Sequence, residues 1–159
     1  MNSKELVLQV HRDLGRADAL NLASRAESMD GTAIIAEEQK VPMFVPGADY
    51  SGCPKGAPIG EMVDGELQIF TMITPVNTAH YPGITPNTER SLYSLCHTKD
   101  PKKAKPFVAP LGISGLYKLD ECCTDAGHVW RNLYEGNEFQ PSALPERWED
   151  LGPIEEVQG

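Results

Sequence analysis

The sequence predicts a mainly β protein with an N-terminal α region, in which two small three-stranded β modules follow one or two helices. Apolar residues recur at helical spacing near the start, within residues 3–28. Farther along, short apolar runs flank turn signals, of which Asp64-Gly65 and residues 124–127 are the clearest. The chain also holds 14 glycines and 13 prolines, a content that favours short strands joined by turns.

The first predicted helix, residues 3–28, carries one apolar stripe at a spacing of 3.6 residues. Two interpretations of this stripe stay open: it packs on the protein's own domain, or it mediates self-association or docking to a larger assembly. The stripe consists of Leu6, Val10, Leu14 and Ala17.

A second, short helix is predicted over residues 32–40, with Asp30 or Thr32 near its cap. Residues 41–46 are expected to be extended, because a residue before a proline avoids the helical region. Residues 1–46 are therefore interpreted as a helical anchor and an extended lead-in.

The first β module is predicted over residues 47–98. Asp64-Gly65 is a strong signal for a two-residue hairpin turn, and residues 91–96 supply the third strand with Tyr93 at its centre. A predicted linker, residues 99–111, follows and contains a basic cluster of Lys99, Lys102, Lys103 and Lys105. A solvated linker is the expected role of the lysines, and steering of an acidic partner such as a teichoic acid is the alternative.

The second β module is predicted over residues 112–152, with a frayed or docked tail at 153–159. Strands are expected over residues 116–123 and 128–134, and Trp148 closes the module. So small a module buries little surface, so a few large aromatic residues must supply most of the core of both modules. These predicted core residues are Tyr93, Tyr117, Trp130 and Trp148.

The two modules align as an internal repeat with a period of about 55 to 62 residues. Residues 60–63 match 120–123, and residues 65–68 match 127–130. In each copy an aromatic residue follows a proline by seven positions, Tyr93 after Pro86 and Trp148 after Pro141.

Composition limits the classes of function. The net charge of −9 argues against a nucleic-acid partner, because phosphates would be repelled. No apolar run approaches the length of a membrane span, and charges interrupt the start, MNSKELVLQVHRDLG, so we expect no signal peptide and folding in a cytoplasm. The four cysteines are expected to be free and buried.

No arrangement in the sequence indicates catalysis, a cofactor or a metal. Neither a nucleophile elbow nor a phosphate loop nor a metal-protease helix occurs. Four residues have side chains of the types that bind zinc, but their spacing does not suit known structural zinc sites. These residues are Cys96, His97, Cys122 and His128. The chain is therefore predicted not to be an enzyme.

One ordered set of residues carries a family resemblance: Tyr117, Glu121, the 127–130 stretch Gly-His-Val-Trp, Asn137, Pro141 and Trp148. This pattern resembles the small chitin-binding-type modules of carbohydrate-binding families five and twelve. It is most similar to the degenerate versions that phage and prophage virion proteins carry in tandem. Asp120-Glu121 stands where Gly-Asp is usual in the family, and Cys123 where valine is usual.

The resemblance implies a structural component of a phage or prophage particle, such as a fibre, baseplate or capsid-decoration subunit. Its implied partners are other capsid or tail proteins, further copies of itself in a trimer, and host cell-surface glycan. Stacking aromatics in the chitin-binding relatives fall at a position occupied here by Leu133-Tyr134, so glycan contacts are expected at Tyr134, Trp130 and Asn137. The alternative is a soluble glycan-binding module of a polysaccharide-degrading system.

Overall fold

The computed structural model describes residues 15–159, and it begins with a helical region. Helix α1 covers residues 15–25 and passes into a 3-10 turn at Ala26–Ser28. Helix α2 spans Gly31–Ala36, and a second 3-10 turn, Glu38–Lys40, follows it. Asp30 caps α2, because its carboxylate accepts a hydrogen bond of 2.8 Å from the amide of Ala33. The part of the first predicted helix before residue 15 lies outside the described residues.

The first sheet is a three-stranded antiparallel meander of β1 (Pro58–Val63), β2 (Glu66–Met72) and β3 (Tyr93–Leu95). The predicted turn joins β1 to β2, with positive φ angles of 53° at Asp64 and 82° at Gly65. Both residues are of types that tolerate this conformation in a two-residue hairpin loop.

Both faces of the first sheet are covered, as the alternation of side chains along β2 requires. Phe70 and Tyr93 lie in one buried cluster with residues of the 44–59 segment, including Ile59. Ile69 faces the other way and packs with Ile34 and its neighbour Ile35 on α2. The short helix is therefore held by its apolar side against the sheet.

The second sheet has four strands in the order β4 (Lys105–Pro106), β5 (Cys122–Asp125), β6 (His128–Asn132) and β7 (Trp148–Pro153). The strands β5, β6 and β7 form the predicted antiparallel meander, and β4 adds a parallel strand that the sequence did not predict. Because β4 lies within residues 99–111, this part of the predicted linker belongs to the sheet.

The second sheet also buries residues on both faces. Tyr117, Cys123 and Trp148 form one cluster, against which Phe107 packs. Cys122 belongs to the cluster on the other face, as expected for the neighbour of Cys123 in a strand. Helix α3 (Ile154–Gln158) covers that second cluster. The predicted tail is thus a helix, and the side-chain amide of Gln158 donates hydrogen bonds to the carbonyls of Pro101 and Ala104 at 3.0 and 2.9 Å.

The segment before β5 differs from the predicted strand over residues 116–123. Asp120 has a φ of 71°, which interrupts an extended conformation. The turn is fixed by Glu121, whose carboxylate accepts a hydrogen bond of 2.7 Å from the amide of Lys118. The first strand of the second module therefore begins at Cys122.

The two modules meet through buried contacts. The His97 ring stacks on Tyr117 with 3.6 Å between ring centroids, and its Nε2 donates a 2.7 Å hydrogen bond to the Gly115 carbonyl. The buried amide of Gln68 on β2 donates to the Pro106 carbonyl on β4 at 3.0 Å. Within residues 15–159 no helix is long and apolar enough to cross a membrane.

Candidate functional site: an exposed aromatic surface on the second module

An exposed group of side chains surrounds Arg147 at the end of the second sheet. The guanidinium carbon lies 3.8 Å from the ring centroid of Tyr134 and 5.1 Å from that of Phe139. Tyr134 is 49% exposed and Phe139 is 40% exposed. Leu133 lies beside them and is also half exposed. We call these four residues, Leu133, Tyr134, Phe139 and Arg147, the Tyr134 surface.

The backbone around β6 and β7 places these four residues at one end of the second sheet. The amide of Leu133 donates a 2.9 Å hydrogen bond to the Arg147 carbonyl, which continues the β6–β7 pairing beyond Asn132. The indole Nε1 of Trp148 donates to the Phe139 carbonyl at 2.9 Å. A core residue thus fixes the loop that carries Phe139.

Two buried asparagines form a frame beneath the surface. The Asn132 amide group donates to the carbonyls of Tyr117, Lys118 and Tyr134, at 2.9, 2.9 and 2.6 Å. Its oxygen accepts from the Tyr134 backbone amide at 3.1 Å and from Asn137 Nδ2 at 2.9 Å. This frame sets the position of the Tyr134 backbone from two directions.

Asn137, which we predicted as a glycan-contacting residue, is fully buried, and its side chain has structural partners. It is 0% exposed, and its side-chain oxygen accepts a hydrogen bond from the Phe139 amide at 3.0 Å. Its backbone also pairs with that of Tyr117 in both directions. A ligand outside the protein cannot reach it, and its side-chain groups already have partners.

The other predicted aromatic residues lie at or near the core. Tyr93, Tyr117 and Trp148 are 1%, 1% and 4% exposed. Trp130 is partly buried beside the cluster of Tyr117, and its Nε1 donates to the Asp125 carbonyl at 3.0 Å. Of the aromatic residues predicted to contact glycan, Tyr134 is the one with a half-exposed ring.

The predicted self-association stripe is only partly visible. Leu6, Val10 and Leu14 lie outside the described residues, and Ala17 is exposed on α1. Helix α1 buries a different side, because Leu22 is 0% exposed and Leu20 is 63% exposed. Leu20 still lines an apolar pocket with Tyr50 and Ala57 of the first module, whereas Ala17 is exposed and does not line it.

Burial and hydrogen bonding account for the shifted pKa values of the titratable groups considered next. Burial raises the pKa of Cys96 to about 12 and that of Cys122 to about 11, which keeps both thiols protonated. His128 Nδ1 on β6 lies 2.8 Å from the partly exposed Asp150 carboxylate on β7, and this hydrogen bond lowers the pKa of the Asp150 carboxyl. Among residues 15–159 no three His, Cys, Asp or Glu side chains are grouped to hold a metal ion.

Sequence reasoning missed two members of the Tyr134 surface, Arg147 and Phe139. Phe139 had a usable signal, because it is a large apolar residue in a loop rich in polar residues and prolines. Arg147 had no such signal in the sequence, because its position beside Tyr134 depends on the pairing of β7 with β6.

Comparisons of the chain with protein-family models, with curated proteins and with solved structures find no match. The candidate site therefore depends on the geometry described above and on the residue pattern of the second module.

Proposed function

We propose that this chain is a structural component of a phage or prophage particle, such as a fibre, baseplate or capsid-decoration subunit, which contacts host surface glycan through the Tyr134 surface. It is assembled in the host cytoplasm with other virion proteins and is a homo-oligomer, with a trimer favoured. We propose no enzymatic activity for the chain.

The Tyr134 surface is the observation that carries the glycan part of the proposal. A tyrosine ring offers a flat contact area and loses little entropy on binding, because it has few rotatable bonds. Arg147 covers part of the Tyr134 ring at 3.8 Å and adds hydrogen-bond donors beside the exposed remainder. An apolar platform with a few fixed polar groups is the usual composition of a small-ligand site.

A binding experiment tests this surface. Tyr134→Ala in the full chain is expected to weaken binding to purified bacterial cell-wall polysaccharide by tenfold or more, while Tyr134→Phe keeps the ring and most of the affinity. Tyr81→Ala is the matched control, because Tyr81 in the first module is 46% exposed. Equal binding by wild type, Tyr134→Ala and Tyr81→Ala, or no binding by any of them, would contradict the role of the surface.

The exposed side of α1 supports the assembly part of the proposal. Deleting all residues before 29 would not test an interface on α1 alone, because it would also remove the buried residues Leu22 and Ala26 from the interior. We instead place a charge on the exposed side: Ala17→Glu is compared with Ala36→Glu, since both alanines are exposed on helices. Light scattering should show an oligomer that dissociates with Ala17→Glu and persists with Ala36→Glu. An unchanged mass in both variants would contradict an interface at Ala17.

The alternative, a soluble glycan-binding module of a polysaccharide-degrading system, uses the same Tyr134 surface without assembly. A wild-type chain that is monomeric and binds polysaccharide through Tyr134 would favour this alternative.

A further inference from the structure

A polar cleft lies where α2, the first sheet and the segment before β5 meet. Its volume is about 330 Å³. Clefts of this size at the junction of two structural units are common positions for small-ligand sites. The Tyr134 surface does not contribute to its lining.

Two hydroxyl groups from the first sheet line the cleft. Thr71 and Ser94 are directly opposite each other in the β2–β3 pairing, on the face that also carries Ile69. Within residues 15–159 neither hydroxyl makes a side-chain hydrogen bond, although both residues are partly buried. These groups are therefore available to a ligand.

A buried carboxylate reaches the same cleft from the second module. Glu121 is 8% exposed, and one of its oxygens accepts the hydrogen bond from the Lys118 amide at 2.7 Å. The other oxygen has no hydrogen-bond partner in the described part of the chain. Burial raises the pKa of Glu121, which shows how little solvation the group receives. The turn needs one carboxylate oxygen, so the second remains free to bind.

The remaining walls give the cleft a mixed character. Leu95 and Leu116 supply apolar surface, and Ile113 stands at the rim, 91% exposed on a tight turn. The rim carries both signs of charge, with Lys99 and Asp30 among the lining residues. A ligand with many hydroxyl groups and no net charge suits such walls better than a strongly charged ligand.

We propose that this cleft is a second glycan-binding site, in which Thr71, Ser94 and Glu121 hydrogen-bond the hydroxyl groups of one neutral sugar unit. The inference rests on the proposed function, because its ligand is a unit of the same surface glycan. It adds a site between the modules that is separate from the Tyr134 surface.

The test is amide chemical-shift mapping of the full chain with glucose, galactose, N-acetylglucosamine and its disaccharide as probes. We expect at least one probe to shift the amides of Ser94, His97 and Glu121 in a saturable way. Thr71→Val combined with Ser94→Ala should weaken that binding by tenfold or more. The double variant leaves Glu121 and its turn in place, and Glu121→Gln tests the carboxylate separately.

Tyr134→Ala distinguishes failure of this inference from failure of the proposed function. Shifts in the cleft that persist in Tyr134→Ala support a separate site, even if the Tyr134 surface proves silent. Shifts confined to residues 133–139, or no shifts with any probe, overturn the cleft as a sugar site. Binding of glucuronate in place of the neutral sugars overturns the assigned ligand class.

Discussion

Replacing Asn132 with leucine tests the frame beneath the Tyr134 surface. Leucine is close to asparagine in size and shape but has no hydrogen-bonding group. Asn132 is 0% exposed; the two N–H groups of its side-chain amide are shared among three carbonyls, and its oxygen accepts two hydrogen bonds. The substitution removes all of these bonds and leaves the partner groups in a buried region.

The expected cost follows from these bonds. A net contribution of about 1 kcal/mol for each of about four full hydrogen bonds gives about 4 kcal/mol. Partial rehydration of the partner groups reduces this figure, so we expect a loss of about 3–4 kcal/mol in the free energy of unfolding. Because a domain of this size has a total stability of about 5–15 kcal/mol, the second module should be close to unfolding.

The assay is urea denaturation followed by tryptophan fluorescence. Both tryptophans, Trp130 and Trp148, lie in the second module, so the signal reports on it directly. Gln140→Ala in the second module is the control, because the Gln140 side chain donates one bond, to the Asp125 carboxylate at 2.8 Å, and its loss should cost about 1 kcal/mol. A loss below about 1 kcal/mol for Asn132→Leu would refute the reasoning.

Two further predictions concern His97 and the packing around it. Burial lowers the pKa of His97 from 6.5 to about 4. The stability that depends on neutral His97 is therefore fully present above the unfolded pKa and decreases as the pH falls toward the folded pKa. We expect the free energy of unfolding to be about 2 kcal/mol lower at about pH 5 than at neutral pH. Burial raises the pKa of Glu121, so this group changes stability in the opposite direction. The dependence of unfolding free energy on pH is therefore compared between wild type and His97→Phe. Equal slopes in the two proteins would contradict this prediction. Gly31→Ala should destabilise the protein by about 2 kcal/mol or more, because the added Cβ would lie 2.2 Å from the His97 carbonyl oxygen. Gly15→Ala, whose added Cβ has no neighbour within 4 Å among the atoms that the structure describes, should be neutral or stabilising by up to about 1 kcal/mol. Thermal unfolding that ranks Gly31→Ala above Gly15→Ala in stability would contradict the packing at Gly31.

Local chemistry explains which parts of the fold were predictable. Asp64-Gly65 is a turn signal that acts between adjacent residues, and the structure confirms the hairpin between β1 and β2 at that position. The turn before β6 was predicted over residues 124–127 and is centred on Ala126 and Gly127, both with positive φ. The fold class, an N-terminal α region followed by two β sheets, follows from such signals and is confirmed.

The missed features depend on contacts between distant parts of the chain. Lys105–Pro106 becomes strand β4 only because Cys123 and its neighbour Thr124 lie beside it, which no local pattern encodes. The same is true of the tail helix, whose Gln158 bonds to carbonyls more than fifty residues earlier in the chain. For the site, the sequence identified Tyr134 as the candidate but also named Asn137, because a pattern of residue types does not show which side chains point inward.

The most direct test of the central claim is the presence of this chain in phage particles. Particles induced from the source strain and purified by density are dissociated in denaturant, and the chain is quantified against the major capsid protein by mass spectrometry. Our account predicts a fixed ratio to the capsid or tail proteins that survives repeated purification. Absence of the chain from purified particles, with the chain retained in the cell extract, would contradict the account.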